Sequence, residues 1–177
     1  GHGDVNLTEA LKRSCDVFFY DVARRVGIDR IVQMAERFGL GGVTDVELTG
    51  ERSGLVPTRA WKEAVYGEPW QGGETLITGI GQGFMLTTPI QLAVMAARIG
   101  NGVFKVMPRL ARLDGAPDVP DFAPLDVAPE LLDIVREGMN QVVNNPDGGT
   151  AYRARIEDEG MAMAGKTGTA QVRRITM

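Results

Sequence analysis

The sequence is poor in the residue types that form disulfides and metal sites. Its 177 residues include one cysteine and one histidine, so an internal disulfide is excluded and the redox compartment stays undecided. No apolar run approaches the roughly 18 residues of a membrane-spanning helix, and no secretory signal opens the chain. The net charge is −4 and basic residues occur at most in pairs, so nothing indicates a nucleic-acid partner.

What the chain does contain is a series of amphipathic segments of helical period, enough for one domain with a buried core. Asn6 is a candidate N-cap for a first helix, with Glu9 in the capping-box position. A second helix is predicted over residues 17–26, with a broad buried apolar face. Thr58 and Thr88 predict the starts of two more helices. Pro129 opens a clear amphipathic helix through residue 143.

A polar turn, Ser14-Cys15-Asp16, separates the first two predicted helices. Ser14 and Asp16 are both residues that cap helix N-termini, and capping alone would account for them. The turn also places a hydroxyl, a thiol and a carboxylate together between two helices. Both interpretations stay open from the residues themselves.

The second polar segment lies near the other end of the chain and reads Gly165-Lys166-Thr167-Gly168-Thr169. Small apolar residues precede it and β-formers follow it, which predicts a strand. Glycine weakens a strand unless a ligand or another backbone must come close, so the pattern favours a site for an anionic group. An edge strand with a solvated lysine is the competing interpretation.

Taken together and in this order, the two segments resemble the second and third signature motifs of penicillin-interacting serine transpeptidases and β-lactamases. Segments 50–57, 81–93 and 149–151 are similar to those that class B penicillin-binding proteins carry between the motifs. The turn, with its aromatic pair and the Tyr20-Asp21 that follow, most resembles the elongation-type group, penicillin-binding protein 2. The resemblance extends over essentially the whole chain.

This resemblance implies an α+β fold of the serine β-lactamase and penicillin-binding transpeptidase type, mainly its helical part plus the Lys-Thr-Gly strand. It implies D,D-transpeptidation of peptidoglycan stem peptides through a serine acyl-enzyme, with β-lactams as inhibitors. Ser14, Asp16 and Lys166 would be the catalytic residues. Thr167, Gly168 and Thr169 would bind substrate, the last with its backbone N–H in the oxyanion hole. An ionised Asp16 only accepts hydrogen bonds, so the donor role of the commoner asparagine is in doubt.

One family motif is absent from the sequence. The nucleophile motif Ser-x-x-Lys occurs nowhere, since Val17 and Val56 stand three residues after Ser14 and Ser53, the only serines. We therefore interpret residues 1–177 as a partial transpeptidase domain, with the nucleophile upstream and the last strands downstream. As it stands, this chain is expected to be inactive.

The resemblance also extends to a metal, partners and a location. No cofactor is needed for the chemistry, but a structural zinc site with His2 and Cys15 as two ligands is implied for the intact protein. The partners would be stem peptides ending in D-Ala-D-Ala, β-lactams and the elongation machinery. The parent would be anchored at the periplasmic face of the inner membrane.

Two other functions remain open from the motifs. A carboxypeptidase or β-lactamase on the same fold would transfer the acyl group to water. A non-catalytic β-lactam sensor or partner-binding module would not turn over.

Overall fold

α-Helices form nearly all the regular structure of residues 2–111 and 121–170, which are the residues described by this computed structural model (for Glu159, the backbone only). The helices are α1 (Leu7–Lys12), α2 (Asp16–Val26), α3 (Ile28–Arg37), α4 (Arg59–Tyr66), α5 (Gly72–Thr78), α6 (Pro89–Asn101) and α7 (Pro129–Asn144). Two 3₁₀ turns follow, Tyr152–Ala154 and Glu159–Met161. Among the described residues, no helix combines the length and hydropathy needed to cross a lipid bilayer.

The chain divides into two compact units. Unit 1 comprises residues 1–15 and 133–177, and unit 2 comprises residues 16–132. In unit 1, Leu11 of α1 packs so closely on α7 that a Cβ at Gly138 would lie 2.4 Å from its Cδ1. Val142 and Val143 of α7 are buried together with Ala10 of α1. Glycine thus sets how near the two helices approach.

Unit 2 has an apolar core formed by Ile28, Val32 and Val56. Helix α2 packs on α3 and α5, and Gly79 lies so near Ala23 that a Cβ there would come within 2.4 Å of it. The broad buried face predicted for α2 is wrong, because only Ala23 of that helix is fully buried, and Val22 and Val26 are each 36% exposed. Ala23 is buried because the backbone at the end of α5 lies directly against it.

Local capping signals placed several helices correctly. The side chains of Asn6, Thr58 and Thr88 each accept a backbone N–H at the starts of α1, α4 and α6. Helix α5 was not predicted, because Gly72-Gly73 indicates a loop by composition. Its start is held by the Glu74 carboxylate, which accepts the N–H of Gln71 at 2.7 Å.

The predicted strands are not formed as ladders in the described residues. Only isolated bridges occur there, Leu55 with Leu86 and Phe104 with Pro124. Residues 162–170, which include the lysine segment, have no regular secondary structure, and residues 171–177 lie outside the described part. A strand is defined by hydrogen bonds to a neighbouring strand, and the lysine segment has a helix beside it instead.

Candidate active site

Ser14 occupies a strained turn at the end of α1. The N–H of Cys15 donates to the carbonyl of Ala10 at 2.9 Å and the N–H of Ser14 to that of Leu11 at 3.2 Å, the paired bonds of a Schellman motif. Ser14 holds the left-handed position of that motif, with φ 50°, where glycine is usual. A side chain in this conformation is unfavourable, so the turn carries a hydroxyl at an energetic cost.

Charged side chains hold the last turn of α1. Glu9 binds Lys12 at 2.7 Å and Arg13 at 2.9 Å, which are the two residues before Ser14. The hydrogen bond from Lys12, helped by Arg13, keeps the pKa of Glu9 below its ordinary 4.5. Because Lys12 is buried, this pairing fixes the point at which α1 ends.

The lysine segment lies along α7. The N–H of Gly165 donates to the carbonyl of Met139 at 3.1 Å, and the Asn144 amide donates to the carbonyl of Met163 at 2.9 Å. A Cβ at Gly165 would meet Val143 at an ordinary 3.7 Å, and one at Gly168 would meet nothing within 4 Å. Neither glycine is therefore required by a close neighbour among the described residues.

Ser14 and the lysine segment meet, although 152 positions separate Ser14 from Lys166. Lys166 Nζ lies 2.6 Å from Ser14 Oγ, 3.1 Å from Thr167 Oγ1 and 3.0 Å from the Thr167 carbonyl oxygen. Ser14 Oγ and Thr167 Oγ1 are 3.1 Å apart. An ammonium only donates hydrogen bonds, so both hydroxyls accept from it. The result is an exposed cluster of positive charge and hydroxyl groups, suited to binding a carboxylate.

The capping interpretation of Ser14 is not supported by this geometry. The hydrogen bonds described for its Oγ go to Lys166, Thr167 and Thr150. Asp16 is the exposed first residue of α2, one position inside the helix that it was predicted to cap, and a carboxylate there favours the helix dipole.

Thr150 is a third hydroxyl in the cluster that the sequence interpretation missed. Its Oγ1 lies 3.2 Å from Thr167 Oγ1 and 3.4 Å from Ser14 Oγ. Its own N–H donates to the Lys12 carbonyl at 3.3 Å. The only signal in the sequence was the Gly-Thr-Ala resemblance at residues 149–151, which carries no spacing rule that points to Ser14.

The remaining predicted residues do not join the cluster. Gly168 and Thr169 are exposed, and the hydrogen bonds described for the cluster involve neither of them, nor Asp16. Ser14, Lys166 and Thr167 are thus the part of the predicted site that the fold brings together.

The two predicted zinc ligands do not make a metal site by themselves. Cys15 is buried and unoxidised, and His2 is exposed. Within residues 2–111 and 121–170 no group of three histidine, cysteine, aspartate or glutamate side chains is arranged to hold a metal ion. A tetrahedral zinc site needs four ligands, so the residues present do not fit a complete shell.

Comparison with known proteins identifies similar sequences. Residues 1–174 match the family described as penicillin binding protein transpeptidase domain. The chain is 38% identical over 179 residues to the peptidoglycan D,D-transpeptidase MrdA of Escherichia coli K12, which covers 97% of the chain and 28% of that protein. It is 37% identical to MrdA of Salmonella typhimurium SL1344, over 97% of the chain and 29% of that protein. The chain therefore spans less than a third of these curated relatives.

Solved structures give the same result for the fold. The chain is similar to Helicobacter pylori PBP2 in complex with MreC, with a TM-score of 0.84 and 34% identity over 97% of the chain and 32% of that protein. It is also similar to Pseudomonas aeruginosa PBP2 in complex with WCK 5153, with a TM-score of 0.80 and 41% identity over 96% of the chain and 39% of that protein. The predicted fold class is confirmed by these likenesses, although the lysine segment forms no ladder here.

Proposed function

The chain belongs to the family of penicillin-binding protein transpeptidase domains, and we propose that it is the part of a peptidoglycan D,D-transpeptidase that handles protons and the substrate carboxylate. The observation that carries the proposal is the 2.6 Å contact between Lys166 Nζ and Ser14 Oγ. Two motifs that are distant in the sequence meet in one exposed cluster, in the combination that acyl transfer to and from a serine requires.

The proposed reaction begins with attack by a serine that this chain does not contain. Its Oγ bonds to the penultimate D-Ala carbonyl carbon of a stem peptide, and the peptide C–N bond breaks. The proton leaves the nucleophile and a proton reaches the departing D-Ala nitrogen. The amine nitrogen of a neighbouring stem peptide then bonds to the acyl carbon, the ester C–O bond to the serine breaks, and the proton that the amine loses returns to the serine oxygen.

This chain's residues would act on the proton and on the charge. Ser14 would relay the proton to the leaving amine, because its hydroxyl both donates and accepts. Lys166 would occupy an acceptor site of that hydroxyl and attract the terminal carboxylate of the donor peptide. Thr167 and Thr169 would donate hydroxyl hydrogen bonds to the carboxylate.

Two further roles belong to the proposal. The Thr169 N–H would be half of the oxyanion hole, where a donor stabilises the charge that develops on the carbonyl oxygen, and Gly168 would leave room for the substrate backbone. Asp16 would hold polar groups near the serine as an acceptor. A β-lactam would bind as a mimic of the D-Ala-D-Ala end.

The wider setting follows from the relatives. One similar structure is titled as a complex of PBP2 with MreC, and on that likeness we propose a partner in the cell-elongation machinery for the longer protein. We propose the periplasmic face of the inner membrane as its location, because its substrate is the cell wall.

Zinc remains a proposal for the longer protein only. His2 and Cys15 would supply two ligands, and others would have to come from outside the described residues. Metal analysis of the longer protein, with Cys15→Ala as the comparison, would give about one zinc per chain in the first and a loss in the second. Equal zinc content in both proteins would refute the role of Cys15.

The test of the proposed enzyme is covalent labelling of the longer protein with a fluorescent penicillin. We expect stoichiometric labelling, slowed by roughly 100-fold in Ser14→Ala, because a positioned proton-transfer group contributes at least that much. Ser53→Ala is a matched control, since Ser53 is the only other serine within residues 1–177 and its Oγ donates to the carbonyl of Gly54 at 3.2 Å. It should label like the wild type.

Two results would contradict the proposal. Absence of label on the longer protein would reject the enzyme and leave a binding module. Release of the label within seconds would indicate a hydrolase instead of a transpeptidase, since water would then compete with the acceptor amine.

A further inference from the structure

The three hydroxyls of the site form a closed triangle. The distances are 3.1 Å from Ser14 Oγ to Thr167 Oγ1, 3.2 Å from Thr167 Oγ1 to Thr150 Oγ1 and 3.4 Å from Thr150 Oγ1 to Ser14 Oγ. The last contact is long for a hydroxyl pair and is therefore the weakest side. Lys166 donates to Ser14 and Thr167, and no such contact is described to Thr150.

The number of protons restricts how these contacts are made. Each hydroxyl has one proton to donate and two acceptor sites. Lys166 takes one acceptor site on Ser14 and one on Thr167, so each of these can accept only one more bond. Three contacts then need all three protons, and only a cycle in which every hydroxyl donates once and accepts once satisfies them. Thr150 alone keeps a spare acceptor site.

A bound carboxylate would open this cycle. On the proposed function, Thr167 turns its proton towards the substrate carboxylate, and the acceptor site that Lys166 leaves on it is filled by one neighbouring hydroxyl. Either Thr150 or Ser14 can supply that proton. Thr150 can donate its proton to Thr167 because the proposed reaction does not need that proton elsewhere. Ser14 would have to turn its proton away from the leaving nitrogen.

We propose that Thr150 is a positioning residue of the transpeptidase site, whose hydroxyl donates to Thr167 and so leaves the Ser14 proton available to the leaving group. This inference rests on the proposed function and deepens it. It uses a hydroxyl that the motif comparison does not include. Thr150 acts through Thr167 and Ser14 and needs no contact with substrate.

The backbone around Thr150 is built to hold the hydroxyl in place. The Thr150 N–H donates to the last residue of α1, Lys12, at 3.3 Å, and the Ala151 N–H donates to Val142 of α7 at 3.0 Å. Gly149 fits against α7 so closely that a Cβ would lie 2.4 Å from the Asn145 carbonyl oxygen. Both helix ends therefore determine the position of Thr150, and one of them also carries Ser14.

The experiment compares Thr150→Val with Thr150→Ser in the longer protein. Progress curves at several concentrations of a chromogenic β-lactam separate the binding constant of the non-covalent complex from the first-order rate constant of acylation. Valine keeps the branched shape and removes the hydroxyl. We expect the acylation rate constant to fall about 10-fold, a fraction of what a positioned proton-transfer group contributes, while the binding constant stays within about twofold.

Thr150→Ser should restore the wild-type rate, because it returns the hydroxyl without the methyl group. Thr8→Val, the same substitution within α1 and outside the triangle, should react like the wild type. Thermal unfolding of both Thr150 variants, measured alongside, should show equal midpoints.

Each other outcome has a distinct meaning. If the wild type is labelled and Thr150→Val acylates equally fast, the role of Thr150 is refuted and the enzyme stands. If Thr150→Ser is as slow as Thr150→Val, the methyl group and not the hydroxyl matters, and the proposal is again wrong. If the wild type itself forms no acyl-enzyme, the proposed function is wrong, and the inference about Thr150, which rests on it, is wrong as well.

Discussion

The two units use polar side chains in opposite ways. In unit 2, two polar side chains of α6 are buried and bind fixed partners. Gln91 is fully buried and donates to the carbonyls of Gly42 and Ser53, and Arg98, 5% exposed, donates to those of Arg37 and Val106. In unit 1 the hydroxyls of Ser14, Thr150 and Thr167 are exposed and bind one another.

Because of this difference, we expect the buried polar side chains to contribute to stability and the exposed hydroxyls to contribute to function. A buried side chain bound to a backbone carbonyl has one favourable arrangement, and losing it leaves an unsatisfied group in the interior. An exposed hydroxyl that binds another hydroxyl can reverse donor and acceptor at little cost, because water and ligands offer alternatives. We therefore expect substitutions in the first network to affect unfolding most and substitutions in the second to affect the reaction most.

The largest effect on unfolding is expected for Gln91→Leu. The change removes donors from the Gly42 and Ser53 carbonyls and the acceptor of the Thr88 N–H. Three part-buried backbone groups would lose their hydrogen bonds to Gln91, which should lower the free energy of unfolding by about 4 kcal/mol. Urea denaturation measures it.

Gln82→Leu, at an exposed position, is the matched control and should change little. If Gln91→Leu lowered the free energy of unfolding as little as the control does, the hydrogen bonds from Gln91 to Gly42 and Ser53 would not contribute to the stability of unit 2.

The next effect is expected for Glu74→Gln. Lys62 is 3% exposed and binds Glu74 at 2.5 Å, with the exposed Glu68 carboxylate farther away at 3.9 Å. Removing the charge of Glu74 therefore leaves a buried ammonium poorly compensated and should cost about 3 kcal/mol. Burial acts to raise the pKa of Glu74, but the Gln71 N–H and Lys62 together lower it from its ordinary 4.5. Glu63→Gln, at an exposed position of α4, serves as control.

The direction of that shift fixes the pH dependence. A carboxyl whose pKa is lower in the folded state stabilises fully above its unfolded pKa, and the contribution is lost as the pH falls through the folded pKa. Wild type and Glu74→Gln should therefore differ most at neutral pH and converge below the ordinary value of 4.5. Denaturation curves with a constant difference down to strong acid would disprove this pairing.

An intermediate effect on both properties is expected for Gly149→Ala. The added Cβ would lie 2.4 Å from the Asn145 carbonyl oxygen and 2.8 Å from that of Gln141, so α7 or residues 149–151 must shift. Overpacking of this kind costs about 2 kcal/mol, and the displaced Thr150 should slow acylation. Gly100→Ala, where a Cβ meets nothing within 4 Å, should be neutral or stabilising. Unchanged acylation in Gly149→Ala would show that the position of Thr150 is not critical.

The fold could be predicted from sequence where its signals were local. The caps Asn6, Thr58 and Thr88 each act on a backbone N–H three residues away, and the helices they start were predicted correctly. The face of α6 that is buried is not determined by local signals. An abundance of apolar residues favours a largely buried helix, but Leu92 is 46% exposed, and Gln91 and Arg98 are buried. Backbone carbonyls supplied by distant loops reverse the usual preference there.

Only those site residues that belong to one of the two signature motifs could be predicted from the sequence. Ser14, Lys166 and Thr167 came from two motifs of recognisable composition, and the fold brings them together. Thr150 came from neither motif, because its place depends on where α1 and α7 end relative to each other. The strand predicted for the lysine segment failed for a similar reason, since hydrogen bonds with α7 replace those of a sheet.

The smallest expected effect on unfolding gives the sharpest contrast between stability and function. At Ser14, with φ 50°, glycine avoids the clash of a Cβ in the left-handed conformation. We expect Ser14→Gly to be more stable than Ser14→Ala by about 1 kcal/mol. Neither variant has the hydroxyl, so labelling in the longer protein should be slowed to the same degree in both. Thermal unfolding and penicillin labelling of the pair test the two statements separately.

If Ser14→Ala were the more stable of the two, the strain at this turn would be refuted. If either variant labelled like the wild type, the Ser14 hydroxyl would not belong to the reaction. The expected result, a glycine that stabilises the turn relative to alanine and still slows the reaction, would show why this left-handed position carries a serine. The strained conformation directs a hydroxyl at Lys166, which glycine cannot do, and functional sites commonly retain strain of this size when the rest of the fold can sustain it.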